Sequence, residues 1–161
     1  MKAICPGSFD PVTYGHLDII ERAVALFGEV IVGVGRNSAK NYLFETDERL
    51  RLIEDACAHL PGVQVLPLSG LLVDFCAEHG VGVIVKGLRF AGDFEFELQM
   101  AQLNRVIGEV ETVMLPTSKD WGHLSSTMIR EIASLGGDVS GFVPPLVAER
   151  IAAKVAARRE G

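Results

Sequence analysis

A continuous β-branched run, Val30-Ile31-Val32-Gly33-Val34, sets the first limit on the fold. A strand that is apolar on both faces must be covered on both faces, which places it inside a parallel sheet. Short runs of similar character recur at residues 2–5, 63–66, 83–85 and 111–115. Between them the apolar spacing changes to the helical period. Leu17, Ile20, Val24 and Phe27 share one side of a first helix, with Gly28 as its C-terminal stop. Thr46-Asp47-Glu48-Arg49 reads as a helix N-cap, and Leu50, Ile53, Cys57 and Leu60 supply the stripe that follows. A short helix is predicted over 71–79, and a longer one opens at Asp93 and reaches about Ile107. Another covers 125–135, and a last one begins at Pro144 and Pro145, with a tail over 152–161 expected to fray. Alternating β and α units predict an α/β domain: a parallel five-stranded sheet with helices on both faces.

Size and charge narrow the function. The chain has 161 residues, which suits one domain spanning 1–161, with the C-terminal helix from about 144. That is short for a (β/α)₈ barrel, and 48% apolar content is ample for a packed core. A formal net charge of −6 argues against non-specific nucleic-acid binding. No apolar run is long enough for a membrane span, and the N-terminus lacks an export signal. Cys5, Cys57 and Cys76 are widely spaced, with no C-x-x-C pair, and read as reduced core thiols of a cytoplasmic protein rather than metal ligands. No metal-ligating residues are expected.

In such sheets ligands bind beyond the carboxyl ends of the strands, so the loops there are where chemistry belongs. The first reads Pro6-Gly7-Ser8-Phe9-Asp10-Pro11-Val12-Thr13-Tyr14-Gly15-His16. Gly7 permits close backbone approach, Ser8 offers a hydroxyl and an N–H, and Thr13 is the expected N-cap. Gly15 and His16 then lie in a first helical turn, where free N–H groups and the helix dipole favour phosphate. The second loop carries Arg36, Asn37, Ser38 and Lys40, and Lys40 is suited to neutralising a phosphate. Neither a dinucleotide G-x-G-x-x-G nor a G-x-x-x-x-G-K-[ST] loop is present. After the fourth strand, Lys86 and Arg89 bracket Gly87 and Leu88, as charge developing on phosphate requires. Asp93 reads as an N-cap, and Glu97 as an acceptor for ligand hydrogen bonds. The fifth loop ends in Trp121-Gly122-His123-Leu124-Ser125-Ser126-Thr127. One of its hydroxyls caps a helix, the others make a second phosphate-facing surface, and Trp121 is a candidate wall for a base. Ser8, Asp10 and His16 invite comparison with a hydrolase triad, but there is no G-x-S-x-G elbow and Asp10 precedes a proline.

These motifs together, Pro6-Gly7-Ser8-Phe9-Asp10-Pro11 with Gly15-His16, Lys86-Gly87-Leu88-Arg89, Asp93-Phe94-Glu95-Phe96-Glu97 and Ser125-Ser126-Thr127, resemble the bacterial phosphopantetheine adenylyltransferases over about residues 2–150. The histidine element alone marks the wider nucleotidyltransferase superfamily; the combination is much narrower. The resemblance implies a Rossmann-like domain, usually hexameric, that uses Mg²⁺ and converts ATP and 4′-phosphopantetheine to dephospho-coenzyme A and pyrophosphate. It implies that Ser8 contacts both ligands and that His16 holds the ATP phosphates. Lys40 and Lys86 would hold the phosphopantetheine phosphate, with Leu72 beside the pantetheine arm. Phe9, Gly87, Leu88, Arg89, Glu97 and each residue from Trp121 to Thr127 would contact ATP. His16, Lys40 and Arg89 would carry the catalysis. The chain departs from the usual family residues at Ser8 (Thr in many relatives), Lys86 (Arg), Phe96 (Tyr) and Thr127 (Ser). The acceptor is already an anion, so no strong base is needed. Cations must screen one phosphate from the other while donors stabilise a five-coordinate phosphorus.

Overall fold

The computed structural model describes residues 1–36 and 41–161. Lys40, with Asn37 and Ser38, therefore lies outside the described residues. Five parallel strands, β1 (Lys2–Gly7), β2 (Glu29–Gly35), β3 (Val63–Leu68), β4 (Val83–Leu88) and β5 (Glu111–Pro116), lie in the order β3-β2-β1-β4-β5. The crossovers are α1 (Tyr14–Phe27), α2 (Thr46–Ala56), α3 (Leu72–His79) and α4 (Ala91–Gly108). α5 (Ser126–Ser134) and α6 (Pro145–Glu160) follow β5.

Alternation along each central strand sorts the core into two layers, as the two-residue period of a strand demands. Ala3, Cys5, Val30, Val32, Val34, Val83 and Val85 face one layer with α1, α2, α5 and α6. Ile4, Ile31 and Ile84 face the other, where Phe75 and Cys76 of α3 and Val81 and Val110 complete the packing. The five-stranded α/β sheet covered on both faces is the predicted fold. No described helix is long and apolar enough to cross a membrane.

Several boundaries differ from expectation, each for a local reason. β1 runs past Cys5 to Gly7, because Pro6 and Gly7 still register with Gly33 and Val34. β4 runs to Leu88, so Lys86, Gly87 and Leu88 are strand-end residues paired with β5 and not a loop. α2 is preceded by Glu45, not capped by a Thr46 hydroxyl, and it ends at Ala56. Cys57 and Leu60 close the helix in tight turns, with the Leu60 N–H donating to the Cys57 carbonyl at 2.9 Å. α4 begins two positions before Asp93, after Phe90, and α3 begins at Leu72 after Leu71. α6 continues through 152–160. It is tied to α2 by Glu48, whose carboxylate meets Arg150 at 2.7 Å and Lys154 at 3.2 Å. Burial opposes ionisation of that carboxyl, but hydrogen bonds from the two cations hold its pKa below the ordinary value.

Candidate active site

β1 connects to β2 on one side of it in the sheet, while β4 sits on its other side. Between β1 and β4 the chain therefore reverses its direction of winding, which leaves a crevice at their carboxyl ends. A cavity of about 390 Å³ opens there. Its walls come from the β1 loop, the first turns of α1, the end of β4 and the start of α5.

His16 is the third residue of α1 and closes a capping box. The Thr13 hydroxyl accepts the His16 N–H at 3.3 Å, and His16 Nδ1 accepts the Thr13 N–H at 3.0 Å. A backbone N–H can only donate, so Nδ1 carries no proton and the ring's hydrogen sits on Nε2. Burial, then Arg89, then Lys86 lower the His16 pKa to about 4, so at neutral pH the ring is uncharged. A neutral donor ring thus lines the cavity beside two cations. The Phe9 ring packs edge-on against it at 4.9 Å. Phe9 holds a left-handed φ of 50°, an uncommon conformation for a bulky residue. Gly7 accommodates that bend: a Cβ there would approach the Phe9 ring to 3.0 Å.

Both cations are held by carboxylates. Lys86 Nζ lies 3.2 Å from Glu97. Arg89 donates through Nε to Asp93 at 3.1 Å and through Nη1 to the Leu124 carbonyl at 2.9 Å. Asp93 also accepts the Arg89 N–H at 3.1 Å. It therefore shapes the turn into α4 as the third residue of the helix, where an N-cap was expected. Its burial favours the neutral acid, but the Arg89 bonds outweigh that and lower its pKa.

On the other wall, Ser125 is the N-cap of α5, its hydroxyl accepting the Met128 N–H at 3.1 Å. The Ser126 hydroxyl donates to the Pro11 carbonyl at 2.8 Å, fastening α5 to the first loop. Thr127 accepts from Arg130 Nη2 at 3.4 Å. Trp121 tilts against Tyr14 at 5.2 Å between centroids.

The cavity gathers Ser8, Phe9 and His16 from the first loop and helix, and Lys86, Gly87, Arg89 and Glu97 from β4 and α4. From the α5 side it takes Trp121, Leu124, Ser125, Ser126 and Thr127. It does not gather all the candidates. Leu88 ends β4, and its carbonyl accepts the Thr117 N–H at 2.8 Å. His123 is exposed and stands edge-on to Phe142, with Gly122 beside it in the turn. Leu72 packs in the core layer with α3.

Three residues shape the site in ways the sequence did not signal. Asp10 is 2% exposed, and its carboxylate accepts the N–H groups of Leu43 and Phe44 at 2.7 and 2.9 Å. It binds one loop to another and is no partner for His16, which disposes of the triad. Arg49 is 1% exposed. Its guanidinium donates to the carbonyls of Ser8 (2.6 Å), Gly35 (2.8 Å) and Phe44 (3.1 Å), and to the Thr46 hydroxyl (3.2 Å). It thereby pins the ends of β1 and β2 together. Arg130 donates to the Asp10 carbonyl at 2.6 Å. The one available clue to Arg49 was its place on the helix face that buries Leu52, Ile53 and Ala56.

The donor set does not suit a metal cage. Asp93 and Glu97 are already engaged by cations, and among the described residues no group of three or more His, Cys, Asp or Glu could hold an ion.

The described residues of the site can therefore offer a phosphate both neutral and cationic donors. Residues 4–132 match the cytidylyltransferase-like family. A phosphopantetheine adenylyltransferase of Nocardioides is 53% identical over 97% of this chain and 98% of its own length. Those of Cutibacterium acnes (54%, covering 91% and 94%) and Streptomyces coelicolor (51%, covering 93% and 94%) are similarly close. Among solved structures, the lipopolysaccharide core biosynthesis protein of Thermoplasma volcanium superposes with a TM-score of 0.52 at 25% identity, over 74% of this chain and 97% of that one. With near-complete coverage at more than half identity, and with Ser8, His16, Lys86, Arg89 and Ser125 gathered at one crevice, the chain belongs to the phosphopantetheine adenylyltransferases of the cytidylyltransferase-like family.

Proposed function

We propose that the chain transfers the adenylyl group of ATP to 4′-phosphopantetheine, giving dephospho-coenzyme A and pyrophosphate, by direct in-line displacement at the α-phosphorus. The observation that carries this reading is the meeting of neutral His16 with Lys86 and Arg89 at the switch point of the sheet. A neutral imidazole whose one proton is on Nε2 is a hydrogen-bond donor and not a base. That suits a reaction whose nucleophile is already anionic.

In this reading a phosphate oxygen of the acceptor approaches the α-phosphorus while the bond to the pyrophosphate oxygen breaks. The pyrophosphate leaves as an anion, so no proton transfer from the enzyme is required. His16 Nε2–H donates to the α-phosphate oxygens as their charge grows. Lys86, joined by Lys40, neutralises the acceptor phosphate, and Arg89 neutralises the triphosphate. The N-terminal turn of α5, with Ser125, Ser126 and Thr127, receives the outer phosphates. Ser8 contacts both ligands, and Phe9, Gly87, Leu88, Glu97 and Trp121 to Leu124 surround the nucleotide. Leu72 lies towards the pantetheine arm. Mg²⁺ arrives with ATP and supplies charge neutralisation to its phosphates, with no dedicated protein ligands.

The proposal includes a homo-oligomer, a hexamer, in the cytoplasm. α4 supports association: Asn104 is its one buried residue, while Phe94, Leu98, Leu103, Val106 and Ile107 are exposed. A helix this apolar on its outer side needs a covering surface. The direct test is pyrophosphate release from ATP and Mg²⁺ with and without 4′-phosphopantetheine. Release that depends on the acceptor is expected; release with another acceptor or with CTP alone would overturn the assignment.

A further inference from the structure

A second cavity, of about 220 Å³, lies between residues 41–43, α5 and the final turns of α6. Three arginines, Arg130, Arg158 and Arg159, reach its wall, and among the described residues none that lines it is acidic. This is unusual for a chain of net charge −6. Among the described residues, Lys86 and Arg89 of the adenylyl-transfer cavity are each answered by a carboxylate, Glu97 or Asp93. Here, among the described residues, neither Arg158 nor Arg159 meets a carboxylate within ion-pair distance. Arg159 spends one donor on the Ser134 carbonyl, at 3.4 Å. Arg130 is turned partly to Asp10, whose carboxylate is 3.9 Å away.

The dipole of α6 accounts for two cations in its last turn. It does not account for Arg130, from a different helix, sharing their basin. Three guanidinium groups around one cavity repel each other, and each presents several N–H donors in a planar fork suited to phosphate oxygens. Asn41 and Ser134 also line it, with Leu43, Ala133 and Val155 as apolar neighbours.

We propose that this basin is a second anion site, separate from the adenylyl-transfer cavity, that binds a small phosphate-bearing ligand through Arg130, Arg158 and Arg159. The dianion answers the two unpaired charges of Arg158 and Arg159 and the partly engaged Arg130, and the apolar side accepts a small organic substituent on the phosphate.

The test uses the full chain with two probes, inorganic phosphate and phenyl phosphate, titrated by calorimetry into the wild type, R158A/R159A and K86A. Arg158 and Arg159 are exposed and outside the adenylyl-transfer cavity, so their replacement should leave the melting temperature in phosphate-free buffer and the basal turnover unchanged. The wild type is expected to show a binding event that K86A retains and R158A/R159A loses or weakens by about tenfold or more, as loss of charge-assisted bonds implies. Tighter binding of phenyl phosphate at that site would assign an organic monoester as its ligand, and equal binding would assign free phosphate. The same affinity and stoichiometry in R158A/R159A as in the wild type, for both probes, would overturn the proposal. Because the readout is binding, it stands or falls independently of the adenylyl-transfer assignment.

Discussion

His16 Nδ1 receives the backbone N–H of Thr13 at 3.0 Å, so one side chain both caps α1 and fixes which ring nitrogen can donate to a ligand. H16A loses the donor and half of the capping box. Its turnover should fall by roughly 10²–10³, the usual cost of an oxyanion-type donor. H16Q, whose amide reaches about as far as Nε2, should recover part of the rate. Near wild-type turnover in H16A would sink the mechanism.

The same histidine makes a statement about pH. Its folded pKa of about 4 lies below the ordinary value of 6.5, so between these the unfolded chain binds more protons. His16 therefore costs no stability above about pH 6.5, and stability is lost as pH falls from there towards 4. Protonation would also remove the acceptor for Thr13 N–H. In H16Q, the acid limb of a stability-against-pH curve over that range should flatten. Turnover should show no inflection near 6.5 from this group, and a histidine-like limb abolished by H16Q would contradict the assigned neutral ring.

Arg49 holds Ser8 and Gly35 by their carbonyls from a fully buried position. R49M keeps much of the volume and strands those oxygens without donors, each costing about 1–3 kcal/mol. Chemical denaturation should register a loss of about 3 kcal/mol or more, and R49K, which lacks the planar fork, should fall between. A midpoint shift within experimental error in R49M would mean that water replaces the guanidinium.

Glu97 competes with any anion for Lys86, which it meets at 3.2 Å. E97Q removes the competing charge. The expected result is a lower KM for the phosphorylated acceptor together with a higher KM for ATP, since the proposed function has Glu97 contact the nucleotide. Equal movement of both constants would show that the pair serves only to brace α4 against β4.

The exposed side of α4 should be an interface. Leu103 is 53% and Ile107 58% exposed, on a helix that buries almost nothing of its own. L103E/I107E should lower the mass found by sedimentation while leaving the far-ultraviolet spectrum intact. A wild type that sediments as a monomer would remove the oligomer from the proposal.

Much of this arrangement could be read from the residues in order, because strand and helix periods are local. The run Val30–Val34 announced a buried strand, and Thr13 announced a helix start where it stands. The site was legible for a related reason: its residues cluster at strand ends, at His16, Lys86, Arg89 and Ser125. What stayed hidden depends on partners far along the chain. Asp10 looked like a turn residue, yet its acceptors serve Leu43 and Phe44. Arg49 looked like a helix-start charge, yet it lies in the core because three carbonyls from separate segments need donors there. Asp93 and Glu97 could be named as candidates, but only three-dimensional proximity separated Arg89 for one from Lys86 for the other.

The grip of Glu48 on Arg150 and Lys154 has a consequence for a chain still being made. Every described residue lining the cavity between β1 and β4 precedes α6, and the match to the wider family stops at residue 132. A nascent chain that has released all of these residues from the ribosome still lacks the helix that braces α2, the carrier of Arg49. During synthesis, therefore, the cavity's residues are all released before the helix that braces α2 is available. Competence to bind nucleotide should arrive late and abruptly, with the emergence of α6, rather than growing in step with chain length.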